Sequence, residues 1–319
     1  MSTAPEASLA AGLKAALPKP ADLAGLEPIE KIRSRWPLIL GGLLTLLMIA
    51  ALGRELYTSG LAGLTRAVPT NPLFYLAFAL CYLAPPTFDY LIFRRLWGIP
   101  LAGMAALHKK RIANEVLFGY SGEAYFYAWA RQRTQMVAAP FGAVKDVTIL
   151  SAIAGNLMTL AMILLVLPFQ DKLPAVITGH SIAGSAGLMV LMCLPFLIFS
   201  KRVFSLQRPQ LWWVFGMHML RSFAGTVFVV FAWHFAMPEV AFGTWVFFAA
   251  IRLLASRLPL APNKEVVFAS FALLLSGSGS SLTELMALFA ALTLLSHIAL
   301  IGGFSMHGLL TKFAVPVRD

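Results

Sequence analysis

Apolar runs of spanning length alternate with short polar segments along most of this chain. Clear runs lie near 35–53, 73–93, 145–168, 180–200, 211–236 and 282–308. A helix needs ~20 mostly apolar residues to cross a bilayer core, so each run predicts a transmembrane helix. Two further runs, 241–257 and 264–277, are short and flank the segment Arg257-Leu-Pro-Leu-Ala-Pro-Asn-Lys264. They predict two thin spans or one broken hairpin. The stretch 100–133 differs again: it is rich in charges and aromatics and is interrupted by Gly119, Ser121 and Gly122. The pattern predicts an all-α, polytopic transmembrane helix bundle of about eight spans, within a range of about six to nine. A re-entrant or broken helical segment is expected in each half, at 104–131 and at 241–277. Broken segments in corresponding positions of two halves point to a transport site.

Composition supports lipid as the main solvent. Of 319 residues, 59% are hydrophobic and 12% charged, with mean hydropathy +0.78. Soluble domains carry about 25% charged residues. Residues 1–32 mix Ala and Pro with charges and are expected to form a mobile cytoplasmic tail. A transmembrane domain is expected over 33–310, and a second cytoplasmic tail over 311–319. The first apolar run begins too late for a cleavable signal peptide and predicts an uncleaved signal anchor. Cys81 and Cys193 lie inside apolar runs without metal-ligand spacing and predict buried free thiols.

The net charge of +11 would suggest nucleic acid in a soluble protein, but here the basic residues sit between apolar runs. With the N-terminus in the cytoplasm, cytoplasmic segments hold 19 of the 25 Lys and Arg residues, including Arg94, Arg95, Lys109, Lys110, Arg111, Arg131 and Arg133. The outer loops then hold Arg54, Arg66 and Lys172. The positive-inside rule favours this arrangement, with both termini cytoplasmic. It requires 100–133 to enter and leave the membrane on one side.

Several short motifs resemble a known family. Asn114-Glu-Val-Leu-Phe-Gly-Tyr-Ser-Gly-Glu123 resembles the N-x-x-L-P-x-x-x-G-E/D element of the lysylphosphatidylglycerol synthase transmembrane region and its stand-alone relatives. Arg94-Arg95-Leu-Trp97 precedes it, as paired basics and a Trp do there. Leu258-Pro-Leu-Ala-Pro262 is similar to that family's L-P-x-x-P-G-G element. The resemblance covers most of 35–308, as a divergent member: Phe118 replaces the usual Pro, Phe126 a common Arg, and Asn263 and Lys264 two glycines. It implies a flippase-like protein of the cytoplasmic (inner) membrane that moves lipids with charged or glycosylated head groups. Only Thr311 to Asp319 follow the last run. The resemblance therefore implies the transport half of a synthase without its soluble catalytic half, and a lipid-synthesis enzyme encoded separately as a partner.

Charges inside apolar runs are the sharpest chemical signal, since each costs roughly 2.5–3.5 kcal/mol at a helix centre and must be paired, hydrated or near an interface. Candidate head-group contacts are Glu123, Arg221, Arg252, Glu115 and Asp146. On one continuous helix Glu115 and Glu123 would lie about 80° apart, near one face. Gly122 would let a head group approach the backbone. A guanidinium at Arg221 or Arg252 can hold phosphate through two parallel bonds. The bland alternatives are Glu123 paired with Arg131 or Arg133, Arg221 with Asp146 or Asp89, and a snorkelling Arg252. Asp89, which follows Pro85-Pro86, is a supporting charge for Lys145 or Arg221; Lys145 itself is another. Lys264 and Glu265 are supporting charges at a helix start that Asn263 caps. His218 and Arg221 share a helix face. No metal, cofactor or nucleic-acid motif is present, and Tyr120, Tyr125, Tyr127, Trp129, Trp212 and Trp213 suit interfacial belts.

The expectation is a lipid translocase without a catalytic domain. Two other classes stay open: a membrane enzyme with Glu123 or Asp146 as general base, and a non-catalytic assembly subunit of a lipid-export system.

Overall fold

The computed structural model describes residues 68–117, 120–134, 139–166, 204–256 and 281–314, with Leu43, Gly184, Gly187, Phe268 and Ala272 as single positions. Apart from those single positions, the expected spans at 35–53 and 180–200, the N-terminal tail, Cys193, Lys264, Glu265 and nearly all of 264–277 lie outside these residues, as does 315–319 of the expected C-terminal tail, whose residues 311–314 continue the last helix. Every element among the described residues is a helix: α1 Pro72–Trp97, α2 Gly103–Val116, α3 Ser121–Thr134, α4 Ala139–Val166, α5 Arg208–Ala236, α6 Phe242–Ser256 and α7 Ser281–Ala314. Four contain stretches long and apolar enough to cross a membrane: Pro72–Trp97, Phe141–Leu165, Arg208–Ala236 and Glu284–Met306. The all-α bundle of a membrane protein is thus present, and the predicted runs at 73–93, 145–168, 211–236 and 282–308 fall on α1, α4, α5 and α7.

Local chemistry sets the ends of α1. The Asn71 side chain accepts the Leu73 N–H at 3.0 Å, and Pro72 supplies a preset φ in the first turn. Gly98 closes the helix at φ 65°, donating its N–H to the Arg94 carbonyl. Arg94 and Arg95 in the last turn suit the negative helix end.

Contacts fix the helix directions. Helix α5 runs antiparallel to α1: Cys81 Sγ lies 3.7 Å from the Gly225 carbonyl, Arg221 meets Asp89, and the Arg95 guanidinium covers the Trp213 ring at 4.3 Å. Helix α4 runs parallel to α5, with Asp146 beside Ser205 and Ser151 beside Arg221. The end of α1 and the starts of α4 and α5 therefore share one end of the bundle, which carries Arg94, Arg95, Lys145 and Arg208. Helix α7 follows α1: Phe289 meets Phe78 at 5.0 Å between ring centres, and His297 meets Tyr82.

Helices α2 and α3 form a hairpin set into this bundle. Lys110 reaches Asp89, and one residue later Arg111 reaches Tyr82, seven positions further along α1 from the basic end. The chain then breaks at Leu117, and Tyr120 takes φ 73° before α3 begins. Helix α3 returns toward the basic end, where Phe126 meets Phe93 at a tilt with ring centres 4.5 Å apart and stacks on Trp97 at 6.2 Å. The break corrects one expectation: Glu115 and Glu123 are on different helices and share no helix face. Gly122 is also reassigned. A Cβ there would overlap the Lys110 carbonyl and sit 2.8 Å from Asn114 Oδ1, so the close approach is made by α2.

Two apolar cores flank the hairpin. One joins α1, α4, α5, α6 and α7 around Trp233, Trp245, Phe248 and Phe289. The other, at the basic end, packs Ile92, Phe93, Leu107, Phe126, Val147 and Val214. Cys81 is a buried thiol outside any disulfide among the described residues, as expected.

Candidate functional site: a buried charge network

The network starts from two prolines. Helical N–H groups bond the carbonyl four residues earlier, and proline has no N–H. Pro86 therefore leaves the Tyr82 carbonyl without its helical donor inside a long apolar helix. Arg111 Nη1 donates to that carbonyl, and its guanidinium covers the Tyr82 ring at 4.3 Å. A few residues on, α1 presents Asp89. Lys110 Nζ approaches Asp89 Oδ2 at 2.7 Å, and Arg221 Nη1 approaches Oδ1 at 2.9 Å. Arg221 Nη2 also donates to Ser151 Oγ at 2.7 Å. On the other side, Lys110 lies 3.6 Å from Glu123 Oε1.

The charges thus alternate in a chain: Glu123, Lys110, Asp89, Arg221, drawn from α3, α2, α1 and α5, with Ser151 of α4 at the end. The inner pair is closed, Lys110 and Asp89 side chains being 9% and 8% exposed. The outer pair is more open, at 17% for Glu123 and 19% for Arg221. Glu123 Oε2 is buried without a hydrogen-bond partner. Helix α2 is not among the candidate spans. His218, one turn before Arg221, is fully buried and in electrostatic reach of Asp89 and Lys110.

A second cluster adjoins the first. Arg111 Nε donates to Glu115 Oε1 at 2.7 Å, and Glu115 Oε2 lies 2.8 Å from His297 Nε2. His297 Nδ1 lies 2.7 Å from the Tyr82 hydroxyl.

The predicted residues divide accordingly. Glu123 and Arg221 are brought into one network. Glu123 meets Lys110 there. Arg221 takes Asp89 and not Asp146. Asp146 is fully buried and accepts the backbone N–H groups of Ser205 and Leu206 at 2.6 and 2.7 Å, which fixes the start of α5. Lys145 Nζ sits 3.4 Å from Asp146 Oδ1. Arg252, on α6, lies 5.9 Å from the Phe289 ring centre. Tyr125 is core, whereas Trp212 is 72% exposed as an interfacial residue would be.

Lys110, Arg111 and His297 were missed. Charge counting assigned the two cations to a cytoplasmic segment. A usable signal was present: Arg111 and Glu115 stand four apart, and Pro86 demands an outside donor.

Three of the motif residues shape the hairpin. Asn114 Oδ1 accepts the Gly122 N–H at 2.7 Å, and Ser121 Oγ donates to the Ala113 carbonyl at 2.7 Å. Asn114 thereby caps α3 from the end of α2, and Gly122 permits the close approach that aims Glu123 at Lys110. No protein-family model matches the chain, and neither a curated protein nor a solved structure matches it.

Proposed function

We propose that the protein is a flippase-like lipid translocase of the cytoplasmic membrane, similar in plan to the transmembrane region of lysylphosphatidylglycerol synthases. In this reading about eight helices cross the bilayer, both termini face the cytoplasm, and the α2–α3 hairpin is re-entrant from the cytoplasmic side. The observation that carries the reading is the alternating charge chain among helices that otherwise bury apolar side chains. Four charges at membrane depth carry a large desolvation cost, and such groups mark substrate paths.

The chain offers a polar head group an exchange of partners. Arg221, the more open cation, meets the lipid phosphate with its guanidinium fork. Glu123, with one oxygen unpartnered, meets an amine or the hydroxyls of a sugar. Lys110 and Asp89 close on each other behind the passing head group, so no ion is left bare. The acyl chains stay in the bilayer.

The test is translocation of labelled lipids in proteoliposomes, comparing wild type with Glu123→Gln and Arg221→Gln. Loss of movement in both folded variants is expected; normal movement in either removes the proposed site. A second reading draws on the closed pairing of Asp89: the charges serve helix packing alone, in an assembly subunit. Variants that lose stability but move lipid at the wild-type rate select that reading.

A further inference from the structure

Beside the charge chain lies a second buried cluster, and it contains a titratable ring. His297 sits in the middle of the span Glu284–Met306 and is 3% exposed. Both its ring nitrogens are engaged, Nδ1 with the Tyr82 hydroxyl at 2.7 Å and Nε2 with Glu115 Oε2 at 2.8 Å. These contacts join three elements, α1, α2 and α7. The titratable and charged groups facing the ring among the described residues are Tyr82 from α1 and Glu115, Arg111 and His108 from α2. The neighbouring polar residue on α7, Ser296, is turned back onto the Leu292 carbonyl.

Two charge states of the His297 ring fit these distances. In both, the carboxylate can only accept, so Nε2–H donates to Glu115 Oε2. In the neutral ring Nδ1 is a bare lone pair, and it accepts the Tyr82 O–H. With His297 neutral, Arg111 balances Glu115 and the cluster carries no net charge. A proton added to Nδ1 forms a new N–H bond. The Tyr82 O–H bond is kept but must rotate away, its oxygen becoming the acceptor. Glu115 then faces two cations, Arg111 and the imidazolium, and the cluster carries one uncompensated positive charge. Such a charge is costly at this depth unless an anion arrives. Glu115 is the most open member, its side chain 27% exposed, and it lies on the hairpin whose next turn carries the network.

We propose that His297, with Glu115 and Tyr82, is a proton-binding site that couples the translocase to the transmembrane proton gradient. The proton on His297 supplies the positive charge, and the phosphate of the incoming head group supplies its balance. Proton and anionic head group therefore cross together. The inference rests on the translocase reading of the adjoining network.

The experiment measures lipid translocation in proteoliposomes with and without an imposed pH difference, for wild type, His297→Gln and Tyr82→Phe. Circular dichroism and monodispersity in detergent verify folding. Expected is a wild-type rate that responds to the pH difference and a His297→Gln rate that does not. Tyr82→Phe removes the hydrogen bond that favours the neutral ring. It should move the midpoint of the pH–rate profile upward by roughly one unit, the size of one buried hydrogen bond. A role in packing alone would change the rate without moving that midpoint. Where His297→Gln does not fold, the Tyr82→Phe profile decides. Lipid movement indifferent to the pH difference in wild type, or an unmoved midpoint in Tyr82→Phe, overturns the coupling and leaves the translocase standing. No lipid movement from folded wild type overturns both.

Discussion

Replacing Asp89 with Asn removes the charge shared by Lys110 and Arg221 while keeping the side-chain volume. At 2.7 and 2.9 Å each pair has a gross attraction of about 6 kcal/mol at an effective dielectric of ~20. Desolvation of three ions offsets most of that. What counts is the state left behind, because breaking a buried pair by removing one partner costs about 3–5 kcal/mol. Lys110 retains only Glu123, at 3.6 Å. Arg221 retains Ser151 and, being 19% exposed, recovers some hydration. Asp89→Asn should therefore lower stability by about 3–5 kcal/mol. Lys110→Met leaves Asp89 still paired with Arg221, and should cost about 1.5–3 kcal/mol, the range for a hydrogen bond to a charged group. The double variant should lose less than the sum, by about 1–3 kcal/mol. The assay is reversible unfolding in mixed micelles, followed by circular dichroism. Effects that add to within about 0.5 kcal/mol would refute the network as a coupled unit.

The hairpin gives a paired test at glycine. Gly122→Ala drives a methyl into the Lys110 carbonyl and should destabilise by about 1–3 kcal/mol or more, whereas Gly216→Ala meets nothing within 4 Å and should not; unfolding midpoints compare them. Asn114→Ala deletes the cap on Gly122 and should cost about 1 kcal/mol in the same assay, with Asn114→Asp retaining most of it. Pro86→Ala restores an N–H beneath the Tyr82 carbonyl, so Arg111→Met should be less damaging in that background by about 1 kcal/mol; equal damage in both backgrounds would show that the carbonyl does not need Arg111. Asp146→Ala frees the Ser205 and Leu206 N–H groups and should cost about 2–3 kcal/mol, read together with faster hydrogen exchange at the start of α5.

Helices were legible in the sequence because hydropathy is a local property. The runs at 73–93, 145–168, 211–236 and 282–308 are long enough that lipid or protein must surround them, and a helix is the only single segment that satisfies its own backbone there. The breaker residues between 117 and 122 announced a hairpin for the same reason. Partner choice was not local. Arg221 and Asp89 are 132 residues apart, and His297 and Tyr82 are 215 apart, so no window along the chain contains either pair. Arg221 and Asp89 were flagged as candidates, since a charge in an apolar run stands out by itself. Lys110 and Arg111 were not, because in a polar stretch a cation looks solvated. Tertiary structure buries them by folding that stretch back along α1. Two cations in a row, Lys110 and Arg111, thereby serve two separate acceptors, a carboxylate and a carbonyl orphaned by Pro86. Sequence by itself determined which segments could span and where charge was costly. Only the packed helices decided which opposite charge, from a distant part of the chain, lies close enough to offset that cost.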